Sequence, residues 1–335
     1  MIGPADIFNA SRNDFDKLAL EVFAFQSREI PVYREFCSYL SKTPDTVHAV
    51  RDIPFLPIQF FKSHQICPPG SQAEVIFQSS GTTGENSSSH YVNHVDVYRQ
   101  SFMQGFRLFY GSPEEYCFLG LLPSYLERGN SSLVFMVDEL IKISGHPNSG
   151  FYLYDHEKLA NLITENEAAQ QKTILIGVTY ALLDFFQAHP QQLKHTIVME
   201  TGGMKGRRKE MVRTEVHEFL TRQTSVDCIH SEYGMTELLS QAYSACNGIF
   251  RTAPWLKIIL RSEDDPLETF GYGDLSSHAR SGIINVIDLA NMYSCSFIAT
   301  DDLGRLYPDN SFEVLGRMDV TDMRGCNLLY TEGIK

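Results

Sequence analysis

Two glycines and four hydroxyl side chains stand together at residues 79–84 and form the first group in the sequence that could bind an anion. The residues are Ser79, Ser80, Gly81, Thr82, Thr83 and Gly84. Glycines let backbone N–H groups approach a ligand, and hydroxyls add further donors, so this composition suits a phosphate. No G-x4-G-K-[ST] spacing occurs, which excludes a Walker A loop. A Ser/Gly surface turn has the same composition, but the apolar run before the group favours phosphate binding.

A second group, Glu-Tyr-Gly-Met-Thr-Glu at residues 232–237, follows a strand predicted at residues 226–230. A tyrosine ring can stack on a base, a threonine hydroxyl can donate to a phosphate, and a glutamate can ligate Mg²⁺. The group suits a nucleotide site, although an ordinary strand–turn–helix has the same pattern.

The third group comprises Thr-Asp-Asp-Leu-Gly-Arg at residues 300–305 and Gly-Arg-Met-Asp at residues 316–319. Paired carboxylates beside a turn can hold a ribose diol or a metal ion, and an arginine can bind a phosphate or a sugar hydroxyl. The same letters occur in solvated β-turns, so this group alone does not distinguish the two.

Between about residues 75 and 250, short apolar runs alternate with longer amphipathic segments. The runs predict strands at residues 75–78, 117–122, 174–178, 196–200 and 226–230. The amphipathic segments predict helices at residues 97–109, 132–143, 156–166, 180–188 and 208–222. Such alternation favours a largely parallel α/β sheet.

The two ends of the chain have a different pattern. Residues 13–42 predict a helix that breaks near Pro31, because proline cannot continue a helix interior. After Trp255, short strands are predicted at residues 257–260, 282–288, 296–299 and 313–315. The sequence therefore predicts an α/β fold with a β-rich C-terminal subdomain.

The composition excludes several classes of protein. The 335 residues are 43% apolar, 21% charged and 12% aromatic, which excludes a disordered or fibrous chain. Lys and Arg number 28 and Asp and Glu number 41, which gives a net charge of −13. So acidic a balance argues against nucleic acid or an anionic membrane as a partner.

The cysteines and the apolar segments indicate the compartment. The seven cysteines are dispersed without a C-x-x-C pair, which predicts neither a disulfide framework nor a zinc site. Six are interpreted as small buried residues, whereas Cys326 stands beside Gly325 and near Arg324, a cation that could lower its pKa. The longest apolar stretch is shorter than the about 20 residues of a membrane span, and no secretory signal begins the chain. We expect a cytoplasmic protein without integral membrane association.

The order of the three groups, at wide spacing, resembles the adenylate-forming superfamily of acyl- and aryl-CoA ligases, firefly luciferase and peptide-synthetase adenylation domains. The stretches at residues 200–209, 230–237 and 315–327 are similar to the LuxE-type acyl-protein synthetase family. The similarity runs from about residue 55 to residue 329 and covers most of the chain.

The resemblance implies ATP and Mg²⁺ as cofactors and gives each group a role. The loop at residues 79–84 would cradle the β- and γ-phosphates. Gly202 and Gly203 would line the adenine, and Tyr233, followed by Gly234, would stack on it. Thr236 would contact the α-phosphate, Glu237 would bind Mg²⁺, and Asp302 would hold both ribose hydroxyls with Arg317 as its companion. Apart from these roles, Lys205, Arg207 and Arg208 are candidates for neutralising phosphate.

The resemblance also implies a domain organisation. An adenylation core would span residues 1–315, with a helical segment at 1–70, an α/β sheet at about 75–250 and a β-rich part at about 255–315. A short C-terminal segment at 316–335 would carry Cys326.

Two departures from the superfamily stand out. About 18 residues follow Arg317, so we expect the mobile C-terminal domain, with its catalytic lysine, to be largely missing. The phosphate loop continues with Glu85 and Asn86 where a Pro-Lys pair is usual.

The activity implied is ATP-dependent conversion of a long-chain fatty acid to acyl-AMP, followed by transfer to a thiol. Cys326 would carry the acyl group as a thioester, and the acceptor would be a partner protein, a carrier protein or coenzyme A. One alternative is an acyl- or aryl-CoA ligase that uses coenzyme A. The other is a non-catalytic nucleotide-binding subunit of an acyl-transfer complex.

Overall fold

The computed structural model describes residues 2–79, 87–123, 129–202, 211–275 and 278–318. Its α-helices are α1 Pro4–Phe8, α2 Phe15–Glu29, α3 Pro31–Tyr39, α4 Phe60–Ser63, α5 Val95–Tyr110, α6 Ser132–Ser144, α7 His156–Ala168, α8 Thr179–Ala188 and α9 Arg213–Thr224. Its strands are β1 Leu56–Pro57, β2 Val75–Gln78, β3 Ser89–Val92, β4 Cys117–Leu121, β5 Gly150–Phe151, β6 Thr173–Val178, β7 Thr196–Thr201, β8 His230–Tyr233, β9 Ala242–Ser244, β10 Arg251–Thr252, β11 Leu256–Arg261, β12 Thr269–Phe270, β13 Arg280–Asp288, β14 Phe297–Leu306 and β15 Phe312–Arg317.

The central segments form a seven-stranded sheet in the order β10-β9-β8-β7-β6-β4-β5. Strands β5, β4, β6, β7 and β8 are parallel, and β9 and β10 add an antiparallel edge. Every residue of β4 and β6 is buried, which is why both read as continuous apolar runs. In register, Val178, Thr201 and Glu232 lie side by side at the carboxyl ends of β6, β7 and β8.

The C-terminal strands form a second sheet in the order β1-β14-β13-β11-β12, with β15 also paired to β14. The ten-residue strand β14 pairs in parallel with β1 at Ile298 and Ala299. Further along, it pairs antiparallel with β15, where Asp302 lies opposite Arg317. The change of partner along one strand brings the third sequence group together.

Strand β2 occurs at the predicted residues but outside the central sheet, so the prediction that placed it there is wrong. It forms an antiparallel two-stranded ribbon with β3. Its neighbour there is β3, with Val75 opposite Val92 and Gln78 opposite Ser89.

The predicted strand at residues 226–230 is also misplaced. The strand observed is His230–Tyr233, so the first residues of the second sequence group belong to the strand itself. It continues there because Ser231, Glu232 and Tyr233 pair with β7 and β9.

The N-terminal helices pack on the six-stranded sheet, and apolar spacing along α2 explains the contact. Its buried residues include Phe15, Leu18, Val22 and Phe23, which lie on one helix face. The ring of Phe297 in β14 lies 6.2 Å from that of Phe23. The helix break predicted at Pro31 is observed, with α2 ending at Glu29 and α3 beginning at Pro31.

For two cysteines, the interpretation as small buried residues is wrong. Cys228 and Cys246 form a disulfide between the segment before β8 and the segment after β9. The pairing follows from the antiparallel contact of these strands, which brings the two Cα atoms to 5.1 Å. The free cysteines in the described ranges are Cys37, Cys67, Cys117 and Cys295, and all four are buried.

None of the described helices is both long and apolar enough to cross a membrane. The division of the chain into domains stays a prediction.

Candidate functional site

The centre of the candidate site is the carboxylate of Asp302. The Tyr233 hydroxyl donates to its Oδ2 at 2.8 Å, and Nε of Arg317 lies 3.5 Å from its Oδ1. Burial raises the pKa of Asp302, and the Arg317 charge and the Tyr233 hydrogen bond oppose that rise. The structure thus joins residues of the second and third sequence groups around one largely buried acid.

A local distortion of β14 positions Asp302. The backbone N–H of Asp302 donates to Oγ1 of Thr300 at 3.1 Å, and that hydroxyl donates to the Ile284 carbonyl at 2.8 Å. Arg261 donates to the Thr300 carbonyl at 2.6 Å. Against β13, Ile283 pairs with Leu303 but Asn285 pairs with Ala299, so Asp302 lies in a bulged part of β14. The bulge therefore fixes where this carboxylate points.

Tyr233 lies at the end of β8, with its ring against a pair of phenylalanines. The ring centroid is 5.9 Å from that of Phe250 and 5.7 Å from that of Phe312, both in edge geometry. Burial raises the pKa of Tyr233 well above its ordinary value, so the hydroxyl keeps its proton and remains a donor to Asp302. The adenine-stacking role of this ring stays a prediction.

The turn after Tyr233 is held by buried side chains from other elements. Nδ1 of His90 lies 2.9 Å from the Thr236 carbonyl, and Nε2 lies 2.8 Å from Oγ of Ser294. Because a carbonyl can only accept, Nδ1 carries the proton. Burial lowers the pKa of His90 to about 4, so the ring is neutral at pH 7. Nδ2 of Asn291 donates to the Glu237 carbonyl at 2.7 Å.

The Glu237 side chain lies beside Ser88, which follows the first sequence group. It accepts a hydrogen bond from the Ser88 side chain, and burial raises its pKa. Ser88 and Ser79 pair in turn: the Ser79 N–H donates to the Ser88 carbonyl at 3.0 Å, and the Ser88 N–H donates to Oγ of Ser79 at 2.9 Å. The predicted metal ligand and the first residue of the predicted phosphate loop are therefore neighbours. Sequence reasoning did not assign a role to Ser88.

Gly202 follows β7 and has φ of +68°, a left-handed conformation that favours glycine. Its carbonyl accepts from Oγ1 of Thr179 at 3.0 Å, and the same hydroxyl is 3.0 Å from Oε2 of Glu200. Oε1 of Glu200 accepts from Ser231 at 2.9 Å and lies 3.3 Å from Nε of Arg213. Burial raises the pKa of Glu200, but hydrogen bonds and the Arg213 charge outweigh it, so the pKa lies below its ordinary value.

A second buried acid, Glu232, lies on the opposite side of β8 from Tyr233, as strand alternation requires. Its Oε2 accepts from the Thr201 hydroxyl. Burial raises the pKa of Glu232 to about 7. A Cβ atom at Gly234 would collide with Oε1 of Glu232, so the carboxyl fills the space beneath the turn.

Several predicted site residues lie outside the described residues. They are Ser80, Gly81, Thr82, Thr83, Gly84, Gly203, Lys205 and Cys326. The predicted residues that the structure places are Ser79, Gly202, Tyr233, Gly234, Thr236, Glu237, Asp302 and Arg317.

Sequence reasoning missed the supporting residues His90, Asn291 and Arg213. Each contacts the site from a distant segment, so no local motif marks it. Glu200 was part of a matched motif, yet nothing in the sequence indicated its buried network.

The described residues suit a nucleotide with a divalent cation. A half-buried aromatic ring and a left-handed glycine lie at the ends of parallel strands, where α/β sheets bind ligands, and the acceptor carboxylate of Asp302 in β14 contacts the ring's hydroxyl. Among the described residues no cluster of three metal-ligating side chains occurs. Glu237 alone is consistent with Mg²⁺, which commonly takes one or two carboxylates and completes its shell with phosphate and water.

Comparison with known proteins gives one family match. Residues 5–334 match the model of the family described as acyl-protein synthetase, LuxE. No curated protein matches the sequence.

Solved structures share the fold. ATP-bound MatB from Rhodopseudomonas palustris has a TM-score of 0.54 at 16% identity, over 86% of this chain and 58% of that chain. An ATP-bound RpMatB-BxBclM chimera has a TM-score of 0.54 at 15% identity, over 75% of this chain and 49% of that one. The luciferase-like enzyme of the nonluminescent mealworm Zophobas morio has a TM-score of 0.51 at 15% identity, over 75% and 59%.

This chain spans about half to three fifths of the length of these three proteins. The predicted fold class, an α/β core like that of adenylate-forming enzymes with a β-rich C-terminal part, is confirmed.

Proposed function

The chain belongs to the LuxE acyl-protein synthetase family, and we propose that it uses ATP to activate a carboxylic acid. In the proposed reaction a carboxylate oxygen attacks the α-phosphorus of ATP, and pyrophosphate leaves. The product is an acyl adenylate. Such a step needs positioning and charge neutralisation more than strong acid–base chemistry.

The observation that carries this proposal is the contact of Tyr233 with Asp302 across 69 residues, with Arg317 beside the same carboxylate. Asp302 would accept hydrogen bonds from the ribose hydroxyls, and Tyr233 would lie against the adenine. The charges of Asp302 and Arg317 also act on Glu237, so the three residues share one electrostatic environment. A nucleotide placed along them would have its sugar at Asp302 and its phosphates near Glu237.

The phosphate end would involve residues of the first and second groups. Glu237 would bind Mg²⁺, which would supply positive charge to the phosphates, and Thr236 would contact the α-phosphate. Ser79, with the rest of the 79–84 loop, would hold the β- and γ-phosphates. Lys205 would add charge, and Gly202 with Gly203 would line the adenine.

The acid is proposed to be a long-chain fatty acid and the acceptor a thiol, which makes the protein an acid-thiol ligase of the acyl-protein synthetase type. Cys326 would carry the acyl group before its transfer to a partner protein. The cytoplasm is the compartment we propose, because ATP is supplied there.

Carboxylate-dependent exchange of pyrophosphate into ATP tests the proposal. The purified chain is assayed with acids from acetate to long-chain and aromatic acids, with Mg²⁺. We expect exchange that depends on the acid and is strongest with long-chain acids. ATP binding without exchange, for every acid in the panel, would instead indicate a non-catalytic nucleotide-binding subunit. Consumption of acyl adenylate by coenzyme A, with no transfer to protein thiols, would indicate a coenzyme A ligase.

A further inference from the structure

Arg213 contacts both sheets beside the candidate site. It is the first residue of α9, and its Nε lies 3.3 Å from Oε1 of Glu200 in β7. Its Nη1 donates to the Val314 carbonyl in β15 at 2.9 Å. Its guanidinium also lies over the Phe250 ring, 5.1 Å from the centroid. One side chain therefore joins the seven-stranded sheet to the strand that carries Arg317.

The backbone supports the same junction. Phe250 and Phe312 exchange two backbone hydrogen bonds, of 2.7 and 3.0 Å, and thereby connect the segment before β10 to the start of β15. Near the other end of β15, Arg317 lies opposite Asp302. The Val314 carbonyl that Arg213 contacts lies between these two ends of β15. Its stem passes over Gly248, where a Cβ atom would lie 2.9 Å from Cδ of Arg213.

This position matters because the proposed nucleotide site is shared between the sheets. Tyr233 belongs to the seven-stranded sheet and Asp302 to the six-stranded sheet. A small rotation between the sheets would separate them. The Arg213 guanidinium can donate to Glu200 and to Val314 together, whereas the single ammonium of a lysine cannot reproduce that fork.

We infer that Arg213 is a positioning residue for nucleotide binding: its fork fixes β15 against β7 and thereby sets Asp302 and Arg317 relative to Tyr233. The inference rests on the proposed function, because it names a residue that acts on that site through others. The Arg213 charge also opposes the rise that burial causes in the pKa of Asp302, which agrees with their proximity.

The test uses Arg213→Lys and Arg213→Gln in the full chain, with Arg251→Lys and Arg251→Gln as matched controls. Arg251 also joins the two sheets, through an ion pair of 2.6 Å with Asp309, but both side chains are more than half exposed. ATP affinity is measured by calorimetry, thermal unfolding is followed in parallel, and KM values for ATP and acid are compared in the exchange assay.

We expect both Arg213 variants to raise the Kd and KM for ATP at least about tenfold, since a charge-assisted hydrogen-bonded fork is lost. The KM for the acid should stay near the parent value, and the Arg251 variants should stay within about twofold for ATP, as exposed ion pairs contribute little. If Arg213 is purely structural, its variants will have a lower melting temperature, but the folded protein will bind ATP with unchanged affinity. That result would overturn the inference.

Restoration of the parental ATP affinity by Arg213→Lys would also overturn it, because charge alone would then suffice. If the parent binds no ATP, the proposed function fails and this inference fails with it. If the parent binds ATP and both Arg213 variants bind it equally well, only this inference fails.

Discussion

The hydroxyl of Tyr233 donates a hydrogen bond of 2.8 Å to Oδ2 of Asp302, the carboxylate proposed to hold the ribose. Arg317 lies beside the other oxygen, so both oxygens already have protein partners. A ribose diol that binds Asp302 must share that carboxylate with the tyrosine hydroxyl or displace it.

We therefore predict that Tyr233→Phe binds ATP more tightly than the parent. The variant keeps the ring and removes the competing hydrogen bond, which is worth about 1 kcal/mol, or about fivefold in Kd. Calorimetry at pH 8 measures the effect. Tyr233→Ala serves as the contrast, because loss of the ring should weaken binding. Weaker binding by the phenylalanine variant would indicate that the hydroxyl assists the nucleotide.

Replacement of Asp302 should have the opposite effect. Asp302→Ala removes both acceptors for the ribose and should weaken ATP binding by about 2–4 kcal/mol, as expected for hydrogen bonds to a charged group. The fold should be retained, since the buried carboxylate is itself costly to desolvate. Calorimetry with a parallel melting curve separates the two effects.

The neighbouring Asp301 supplies the control for that experiment. Both of its oxygens accept from Nε2 of Gln59 at 2.8 Å, away from Tyr233. Asp301→Asn should leave the ATP affinity nearly unchanged. If Asp302→Ala binds ATP as well as the parent does, the ribose is held elsewhere.

Features that neighbouring residues determine could be predicted from the sequence, whereas contacts between distant segments could not. Strand β6 was predicted at residues 174–178 because these residues form a short apolar run, and that pattern is local. Strand β2 was also found, but its pairing was not, because a four-residue run reads the same in a ribbon and in a parallel sheet.

In the candidate site, too, local motifs could be predicted and contacts between distant residues could not. The motif at residues 232–237 and the Asp302 segment could be matched to a family, yet no pattern indicated that Tyr233 donates to Asp302. Arg213 has partners 13 and 101 residues away, and the Cys228–Cys246 disulfide spans 18 residues. Such contacts depend on how the two sheets and their edges pack, which no periodicity records.

Glu237 gives a prediction about metal dependence. Glu237→Gln keeps the shape of the side chain but removes the charge that Mg²⁺ requires, so the half-maximal Mg²⁺ concentration for pyrophosphate exchange should rise about tenfold. The rate at saturating Mg²⁺ should approach that of the parent. The measurement is a Mg²⁺ titration of the exchange rate.

Ser88→Ala is the matched control for Glu237, because it removes the hydrogen bond to the carboxylate but keeps the charge. We expect a smaller shift for this variant. An equal loss of rate at every Mg²⁺ concentration in Glu237→Gln would assign the residue a structural role.

Glu232 gives a prediction about stability and pH. Burial raises its pKa from 4.5 to about 7, so the folded protein holds a proton that the unfolded chain releases. Its contribution to stability is therefore present below pH 4.5 and is lost as pH rises through 7, which amounts to about 3 kcal/mol. Glu232→Gln, which does not titrate, should flatten the fall in unfolding free energy between pH 5 and pH 8.

Urea unfolding at both pH values measures this difference, and Glu35→Gln, at an exposed position, is the control. The glutamine variant should be the more stable protein at pH 8. An unchanged pH dependence would mean that Glu232 is ionised throughout this range in the folded protein.

Cys326 gives the prediction that separates an acyl-protein synthetase from a simple ligase. Its thiolate sulfur would attack the carbonyl carbon of the acyl adenylate, and AMP would leave as the bond from that carbon to the phosphate oxygen breaks. Arg324, two residues away, would favour the thiolate at neutral pH. Incubation with ATP, Mg²⁺ and a labelled fatty acid should therefore place a hydroxylamine-labile label on the chain.

Cys326→Ser should still exchange pyrophosphate, because adenylate formation precedes the thiol step, yet it should accumulate no labile label. Cys67→Ser is the control, since Cys67 is buried and its sulfur accepts from Nε2 of Gln65 at 3.2 Å. That variant should be labelled like the parent. If Cys326→Ser is labelled as strongly as the parent, the covalent step occurs at another residue. If neither the parent nor the variants are labelled and coenzyme A consumes the adenylate, the acyl group passes directly to coenzyme A.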